Sequence, residues 1–147
     1  RGLPQATGAK LGRVKPAAYC DSSVIVQILL GQEGAPALAA RLQKEFSSIY
    51  AHPLLEAECL AAWVRAGRMA AEHPLGRLPL LWVAHSARMT GELATVFESD
   101  SHLRGADAFH LAVATYLKKQ GLHSLVFLSL DRRQTVAAER LGFLCPC

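Results

Sequence analysis

The sequence predicts an α/β fold of three layers, α/β/α, in which helices cover both faces of a central, mainly parallel sheet. Short apolar runs of strand length alternate along the chain with longer segments of helical character. The strand-like runs are apolar at consecutive positions, which is typical of strands that are buried on both faces. With 147 residues, of which 51% are hydrophobic and 19% charged, the chain can fill the core of one ordinary domain.

The first half of the chain is predicted to form two strands and three helices. An apolar run ends at Asp21, and the helical segment that follows it closes at Gly31. An Ala- and Leu-rich helix and a brief apolar strand come next. Pro53 then suits the first turn of a third helix, which ends before Gly67. The expected elements are strands at 17–20 and 48–51 and helices at 22–30, 35–46 and 53–66.

The second half is predicted to add three strands and three helices. Its central helix is almost wholly small and apolar and stops at Gly121, and a strand rich in Leu, Val and Phe follows. A last helix closes at Gly142 before a terminal apolar run. The expected elements are strands at 80–83, 124–130 and 143–145 and helices at 87–98, 106–119 and 132–141.

Outside this pattern, residues 1–16 hold three glycines, two prolines and four basic residues without periodicity. They are interpreted as a flexible lead-in or an expression remnant, and residues 17–147 as the folded domain. No apolar run is long enough to cross a bilayer and no signal peptide is visible, so we expect a cytoplasmic protein without a membrane partner. Cys20 and Cys59 are predicted to be buried small residues. The pair in Cys145-Pro146-Cys147 has no second pair at ligand spacing, which disfavours zinc.

Four acidic residues end apolar runs or lie within them. Asp21 and Asp131 each follow a predicted strand, Asp107 lies near the start of the apolar helix, and Glu58 lies on the third helix among apolar neighbours. In doubly wound sheets, sites form at the carboxyl ends of the strands. A buried carboxylate is costly, and mutual repulsion in a cluster increases the cost. If the fold brings the four together, a divalent cation would compensate them.

Each of these acids also has a purely structural interpretation. Asp21, Asp107 and Asp131 could cap the helices that follow them. A Glu on an Ala-rich helix is usually solvated, and Glu56 competes with Glu58 because helical periodicity places apolar neighbours around both. Periodicity alone leaves that choice open. The combination of four acids in this order favours a site more than any one of them does.

Four short motifs surround these acids. They are Asp21-Ser22-Ser23, Leu55-Glu56-Ala57-Glu58-Cys59-Leu60, Leu103-Arg104-Gly105-Ala106-Asp107-Ala108-Phe109-His110-Leu111-Ala112 and Leu128-Ser129-Leu130-Asp131-Arg132-Arg133. With these motifs the chain, from about Ala17 to Cys145, resembles a PIN domain, and in particular the VapC-type toxins of bacterial and archaeal toxin–antitoxin pairs. The third motif is the most specific, whereas the first and the last are individually loose.

The resemblance implies a metal-dependent endoribonuclease that hydrolyses RNA phosphodiester bonds with one or two Mg²⁺ or Mn²⁺ ions. It implies that Asp21, Glu58, Asp107 and Asp131 are the catalytic, metal-binding acids, and it selects Glu58 over Glu56. It also implies a homodimer and a cognate antitoxin partner that inserts into the acidic groove.

Independently of the resemblance, the types of residue present favour a hard cation. Carboxylate oxygens without paired His or Cys side chains favour Mg²⁺ or Mn²⁺ over zinc. We expect Asp21 and Asp107 to be direct ligands and the other two acids to hold metal-bound waters. Ser23 and Ser129 are expected to donate hydrogen bonds behind the ligands. The family commonly has Thr where Ser129 stands and Leu where Cys59 stands, but neither difference removes a ligand.

Charge favours a nucleic-acid partner. The net charge is +4, and removing the four negative charges that a metal would neutralise leaves +8, which favours a polyanion. Arg104, Arg132 and Arg133 lie beside the acids in sequence and could bind backbone phosphates of RNA, although solvated helix ends would look the same. His110, one helical turn beyond Asp107, is interpreted as a packing histidine rather than a catalytic one.

Two other classes of enzyme or signalling domain require residues that this sequence lacks. A phosphohydrolase with an aspartyl nucleophile would need a second Asp two positions after Asp21, where Ser23 stands. A receiver domain would need a Lys after a late strand, and no Lys follows Lys119. The remaining alternative is a non-catalytic PIN-like module that binds RNA or protein. The presence of all four acids argues against that alternative.

Overall fold

Residues 13–147, which the computed structural model describes, contain a four-stranded sheet in which every neighbouring pair of strands is parallel. The order across the sheet is β3-β2-β1-β4, so the first strand lies in the middle. The strands are β1 (Ala17–Cys20), β2 (Ser48–Ala51), β3 (Leu80–Trp82) and β4 (Val126–Leu128).

Seven α-helices connect and follow these strands within the same residues. Two single 3-10 turns, Ala70–Glu72 and Leu75–Arg77, lie between the third helix and β3. The helices are α1 (Ser22–Leu29), α2 (Ala35–Glu45), α3 (Pro53–Arg65), α4 (Ala87–Thr90), α5 (Leu93–Ser99), α6 (Gly105–Lys119) and α7 (Arg132–Arg140).

The helices divide into two layers, one on each face of the sheet. Side chains of α1, α2 and α3 pack with Ala18 and Cys20 of β1 on one face. Side chains of α4 to α7 pack with Tyr19 on the other face. Because successive strand residues point to opposite faces, the buried run at β1 contributes to both layers. The predicted three-layer α/β/α architecture with a parallel sheet is confirmed.

Parallel pairing places the carboxyl ends of all four strands at one edge of the sheet, here called the carboxyl edge. Asp21 directly follows β1, and its backbone N–H donates to the Leu128 carbonyl of β4 at 3.1 Å. His52 follows β2, and Ser129 follows β4. The fold therefore brings the residues after three separate strands to one place.

Two predicted elements differ from the structure. The helix predicted at 87–98 is two helices, because Thr90 Oγ1 donates to its own helix carbonyl at Ala87 and the chain turns at Gly91, two residues of weak helix propensity. The strand predicted at 143–145 is irregular. A single ladder bond joins Phe127 N–H to the Leu144 carbonyl, and Pro146 has no N–H to extend it.

The lead-in predicted at 1–16 falls mostly outside the described residues, which begin at Arg13. The stretch from Arg13 to Pro16 has no regular secondary structure, and the Pro16 carbonyl accepts from Ser47 N–H at 3.0 Å. None of the helices found between residues 13 and 147 has the length and apolarity to cross a bilayer. All four cysteines are free, and Cys20 and Cys59 are buried as predicted.

Candidate functional site

Asp21 is the most buried acid at the carboxyl edge, with 2% of its surface exposed. It caps the N-terminus of α1, and one carboxylate oxygen accepts from Ser23 N–H at 3.1 Å and from Ser23 Oγ at 2.6 Å. The other oxygen accepts from Ser129 Oγ at 2.6 Å. The capping role that the sequence left open is therefore present, and it is combined with two hydroxyl donors from different elements.

Backbone groups fix the direction of both hydroxyls. Leu130 N–H donates to Ser23 Oγ at 2.8 Å, and Asp131 N–H donates to Ser129 Oγ at 3.0 Å. Since each hydroxyl oxygen already accepts from a backbone donor, its single proton points to Asp21. The loop after β4 thus holds the Asp21 carboxylate in one orientation.

Burial also makes the Asp21 charge expensive. Burial raises the pKa of Asp21, whereas the hydrogen bonds from Ser129 and Ser23 and the field of His110 act in the opposite direction without cancelling it. The ionised carboxylate therefore lacks full compensation from the protein groups around it.

Glu58 projects from α3 towards the same edge. Its carboxylate accepts from Ser22 Oγ at 3.2 Å through one oxygen and contacts Nε2 of His110 through the other. Glu56, the alternative that periodicity could not exclude, is exposed on the outer side of the helix. The fold thus directs Glu58, and not Glu56, to the carboxyl edge.

His110 and Tyr19 lie behind Glu58 and are both fully buried. Tyr19 Oη lies 2.7 Å from His110 Nδ1, so both nitrogens of the imidazole have partners. Burial, and then neighbouring negative charge, raises the pKa of Tyr19 well above its usual value, which keeps the phenol protonated. The sequence interpretation of His110 as a packing histidine is incomplete, because the ring also connects the core to Glu58.

Asp107 lies half-buried in the first turn of α6, where the helix dipole favours negative charge. Burial raises the pKa of Asp107, and the charges of Asp131 and Glu58 raise it further, while His110 and Arg104 oppose them. Asp107 thus lies near enough to acids from two other helices to interact with both. Among residues 13–147, no group donates a hydrogen bond to its carboxylate.

Asp131 is exposed and caps α7. One of its carboxylate oxygens accepts from Arg133 N–H at 2.9 Å and Gln134 N–H at 3.2 Å. The buried Gln134 side chain donates to the Asp107 carbonyl at 3.1 Å, which ties α7 to the start of α6. The cap interpretation and the site interpretation of Asp131 are again compatible.

The three arginines singled out in the sequence are all exposed. Arg104 interacts electrostatically with Asp107, and Arg133 Nε lies 3.6 Å from an Asp100 oxygen. Sequence reasoning missed Arg65, which lies two helical turns after Glu58 on α3. An open groove runs between these two residues, lined by Ser22, Ser23, Val26, Ala57, Ala61 and Ala62.

A histidine pair extends the polar edge towards β3 and was also missed. His52 is buried, and its Nδ1 accepts from Leu54 N–H at 3.0 Å, which caps α3. Its Nε2 lies 3.1 Å from His85 Nδ1, and both rings pack near Phe109. Burial, and then the charges of His85 and His110, lowers the pKa of His52. The His-Pro pair at the predicted helix start was the available signal.

The four acids and the hydroxyls of Ser22, Ser23 and Ser129 supply oxygen donors, which suit a hard cation. Within residues 13–147, no group of three or more His, Cys, Asp or Glu side chains forms a ligand shell that could hold a metal ion. Mg²⁺ usually retains several waters and is bound through one or two carboxylates, so such a shell is not required. The chemistry of the residues fits Mg²⁺ or Mn²⁺ better than zinc.

Comparison with known proteins gives no family assignment. No protein-family model matches the chain, and no curated protein matches it at a significant level. The residues at the carboxyl edge are therefore the basis on which a function can be assigned.

Proposed function

We propose that the protein is a metal-dependent endoribonuclease that hydrolyses RNA phosphodiester bonds at the carboxyl edge. Asp21, Glu58, Asp107 and Asp131 would hold one or two Mg²⁺ or Mn²⁺ ions. The observation that carries the proposal is the electrostatic coupling of Asp107 to Glu58 and Asp131. Carboxylates that lie close together repel one another, and a bound divalent ion would relieve that repulsion.

The four acids would have different roles, because they differ in burial and in their hydrogen-bond partners. Asp21 is fixed by Ser23 and Ser129, and Asp107 has a carboxylate free of protein donors among the described residues, so these two are proposed as direct ligands. Glu58 and Asp131 are more exposed than Asp21, which suits residues that orient metal-bound waters. When bound, the metal would supply an activated water and neutralise charge on the phosphoryl oxygens.

The substrate would approach along the groove beside Glu58. Its floor of alanines lets a backbone or sugar come close, and Arg65 at its far end can bind a phosphate remote from the scissile bond. Arg104 and Arg132, exposed at the starts of α6 and α7 in the other helical layer, would bind phosphates there. Positive groups on two sides of an acidic centre would hold an RNA strand across it.

The motif resemblance to PIN domains supports a narrower proposal. On that basis the protein would be the toxin of a type II toxin–antitoxin pair, would form a homodimer and would be inhibited by a cognate antitoxin. Four free cysteines accord with a reducing, cytoplasmic setting.

Cleavage of a fluorescent RNA by the purified protein with Mn²⁺ tests the activity. We expect cleavage that a chelator abolishes and added Mn²⁺ restores. Glu58→Gln should lower the rate at least about 100-fold, whereas Glu56→Gln, an exposed change on the same helix, should not alter it. A wild-type protein that binds RNA without cleaving it would favour the non-catalytic module. Cleavage that persists unchanged in Asp21→Asn would also rule out the proposed site.

A further inference from the structure

A chain of buried hydrogen bonds links the two helical layers at the carboxyl edge. Tyr19 belongs to β1, His110 to α6 and Glu58 to α3, so the contacts run from the sheet through one layer to the other. Tyr19 and His110 are both fully buried, whereas about a quarter of the Glu58 side chain is exposed. The chain therefore begins in the core and ends at the site.

The donors in this chain have a defined direction. A phenol is protonated at neutral pH, so Tyr19 Oη can donate to His110 Nδ1. A carboxylate can only accept a hydrogen bond, so His110 Nε2, which contacts Glu58, carries a proton. With Nδ1 accepting, the proton of a neutral imidazole lies on Nε2, where it is donated to Glu58.

Glu58 is consequently held at both oxygens. His110 Nε2 contacts one oxygen, and Ser22 Oγ donates to the other at 3.2 Å. A glutamate on a helix surface would otherwise sample several rotamers, with a loss of side-chain entropy when it is fixed. Here the carboxylate is held by donors from two other elements before any ligand arrives, and its charge acts on Asp107.

We infer that His110, locked in its Nε2–H tautomer by Tyr19, is a positioning residue that fixes the Glu58 carboxylate for binding a hydrated divalent cation. The binding of the cation and its role in RNA cleavage rest on the proposed function, but the tautomer does not. Such outer partners of metal-site residues typically change affinity or activity by about 10- to 100-fold when they are removed.

Long-range ¹H–¹⁵N correlation spectra of the histidine rings test the tautomer directly. His110 can be identified among the six histidines by the loss of its signals in His110→Gln. We expect an unprotonated Nδ1 and a protonated Nε2 in the wild type, and a mixture of tautomers in Tyr19→Phe. A protonated Nδ1 in the wild type would overturn the inference, whether or not the protein cleaves RNA.

A matched pair of substitutions separates positioning from packing. The amide N–H of Gln in His110→Gln can replace the Nε2 donor to Glu58, whereas Asn in His110→Asn can replace only the group near Tyr19. We expect His110→Asn to weaken Mn²⁺ binding, measured by calorimetry, by about 10- to 100-fold, and His110→Gln to retain most of the affinity. Equal losses in the two variants would show a merely structural role.

Tyr19→Phe removes only the hydroxyl, so it tests the inference even if the His110 variants fail to fold. Its control is Tyr50→Phe, because Tyr50 pairs with Tyr19 in register on the neighbouring strand. We expect Tyr19→Phe to lower Mn²⁺ affinity and kcat for RNA cleavage about 10-fold with KM unchanged, and Tyr50→Phe to change neither. Wild-type Mn²⁺ affinity in Tyr19→Phe would overturn the inference, whereas absence of cleavage in wild type would overturn only the nuclease proposal.

Discussion

The carboxyl edge has two walls, whose acids differ in the hydrogen-bond donors that reach their carboxylates. On one wall, formed by β1 and α3, the Asp21 and Glu58 carboxylates accept from hydroxyl, backbone and imidazole groups at both oxygens. On the other, formed by α6 and α7, the Asp107 carboxylate has no hydrogen-bond donor among residues 13–147, and Asp131 caps its own helix. The first wall is organised by protein hydrogen-bond donors, whereas the second leaves the Asp107 carboxylate without one.

The largest effect is expected at Asp107. Asp107→Asn should lower Mn²⁺-dependent cleavage about 100- to 1,000-fold, and yet it should raise the melting temperature of the metal-free protein at pH 7 by about 2 °C. The folded state raises the pKa of Asp107 above its usual value of 3.8, mainly through burial. Because the folded-state pKa is raised, the favourable contribution of Asp107 to folding stability is present below pH 3.8 and is lost as the pH rises through the folded-state pKa.

Calorimetric melting of Asp107→Asn and wild type at pH 7 and pH 3 checks this sign. The gain should be present at pH 7 and absent at pH 3, where both side chains are neutral. Asp21→Asn, on the organised wall, should lose both activity and stability, because the amide cannot accept from Ser23 and Ser129 together. If both substitutions destabilise the protein equally, the two walls do not differ as described.

A smaller effect is expected from Ser129→Ala, which removes a donor to Asp21 and an acceptor for Asp131 N–H. The free energy of unfolding should fall by about 1–3 kcal/mol, and cleavage should fall about 10- to 100-fold. Urea denaturation provides the stability measurement. The control is Ser124→Ala, an exposed substitution just before β4, which should leave the free energy of unfolding and the cleavage rate unchanged. A comparable loss in Ser124→Ala would contradict the role assigned to Ser129.

The arginines should affect binding rather than catalysis. Arg104→Ala and Arg132→Ala should each weaken RNA binding and reduce the slope of log affinity against log salt by about one. Fluorescence anisotropy at several salt concentrations measures this slope. Lys44→Ala is the control, because Lys44 lies one turn before β2 starts, at the opposite edge of the sheet. An equal change in the control would indicate only a general effect of net charge.

The smallest effect is expected at His52, which caps the helix that carries Glu58. Burial lowers its pKa, so its contribution to stability is present above the usual value of 6.5 and is lost as the pH falls towards the folded-state value. His52→Asn keeps a good cap and should flatten the fall in melting temperature below pH 6.5 by about 2 °C. An unchanged pH profile would show that the fall has another origin.

The sequence was sufficient to predict the layers, the positions of the four strands that form, and the acids after β1 and β4. Continuous apolar runs locate buried strands, and parallel pairing then places Asp21 and Ser129 at one edge. Periodicity could not separate Glu56 from Glu58, because both have apolar neighbours on the helix. The contact of His110 with Glu58 joins residues 52 positions apart and leaves no local pattern.

The missed features have similar causes. The pattern at 87–98 remains amphipathic across Gly91, so the break between α4 and α5 is decided by Thr90 and the turn rather than by periodicity. The apolar run at 143–145 resembles a strand, but strand formation depends on a ladder that Pro146 cannot extend. The groove that ends at Arg65 depends on the packing of α1 against α3, which only the assembled fold defines.

The central claim is that the two walls together bind a divalent cation. Isothermal titration of Mn²⁺ into the metal-free protein, compared with Asp107→Asn, tests it most directly. We predict saturable binding of one or two ions in the wild type and at least about tenfold weaker binding in the variant. Titration without saturation, or equal affinity in the two proteins, would contradict the claim.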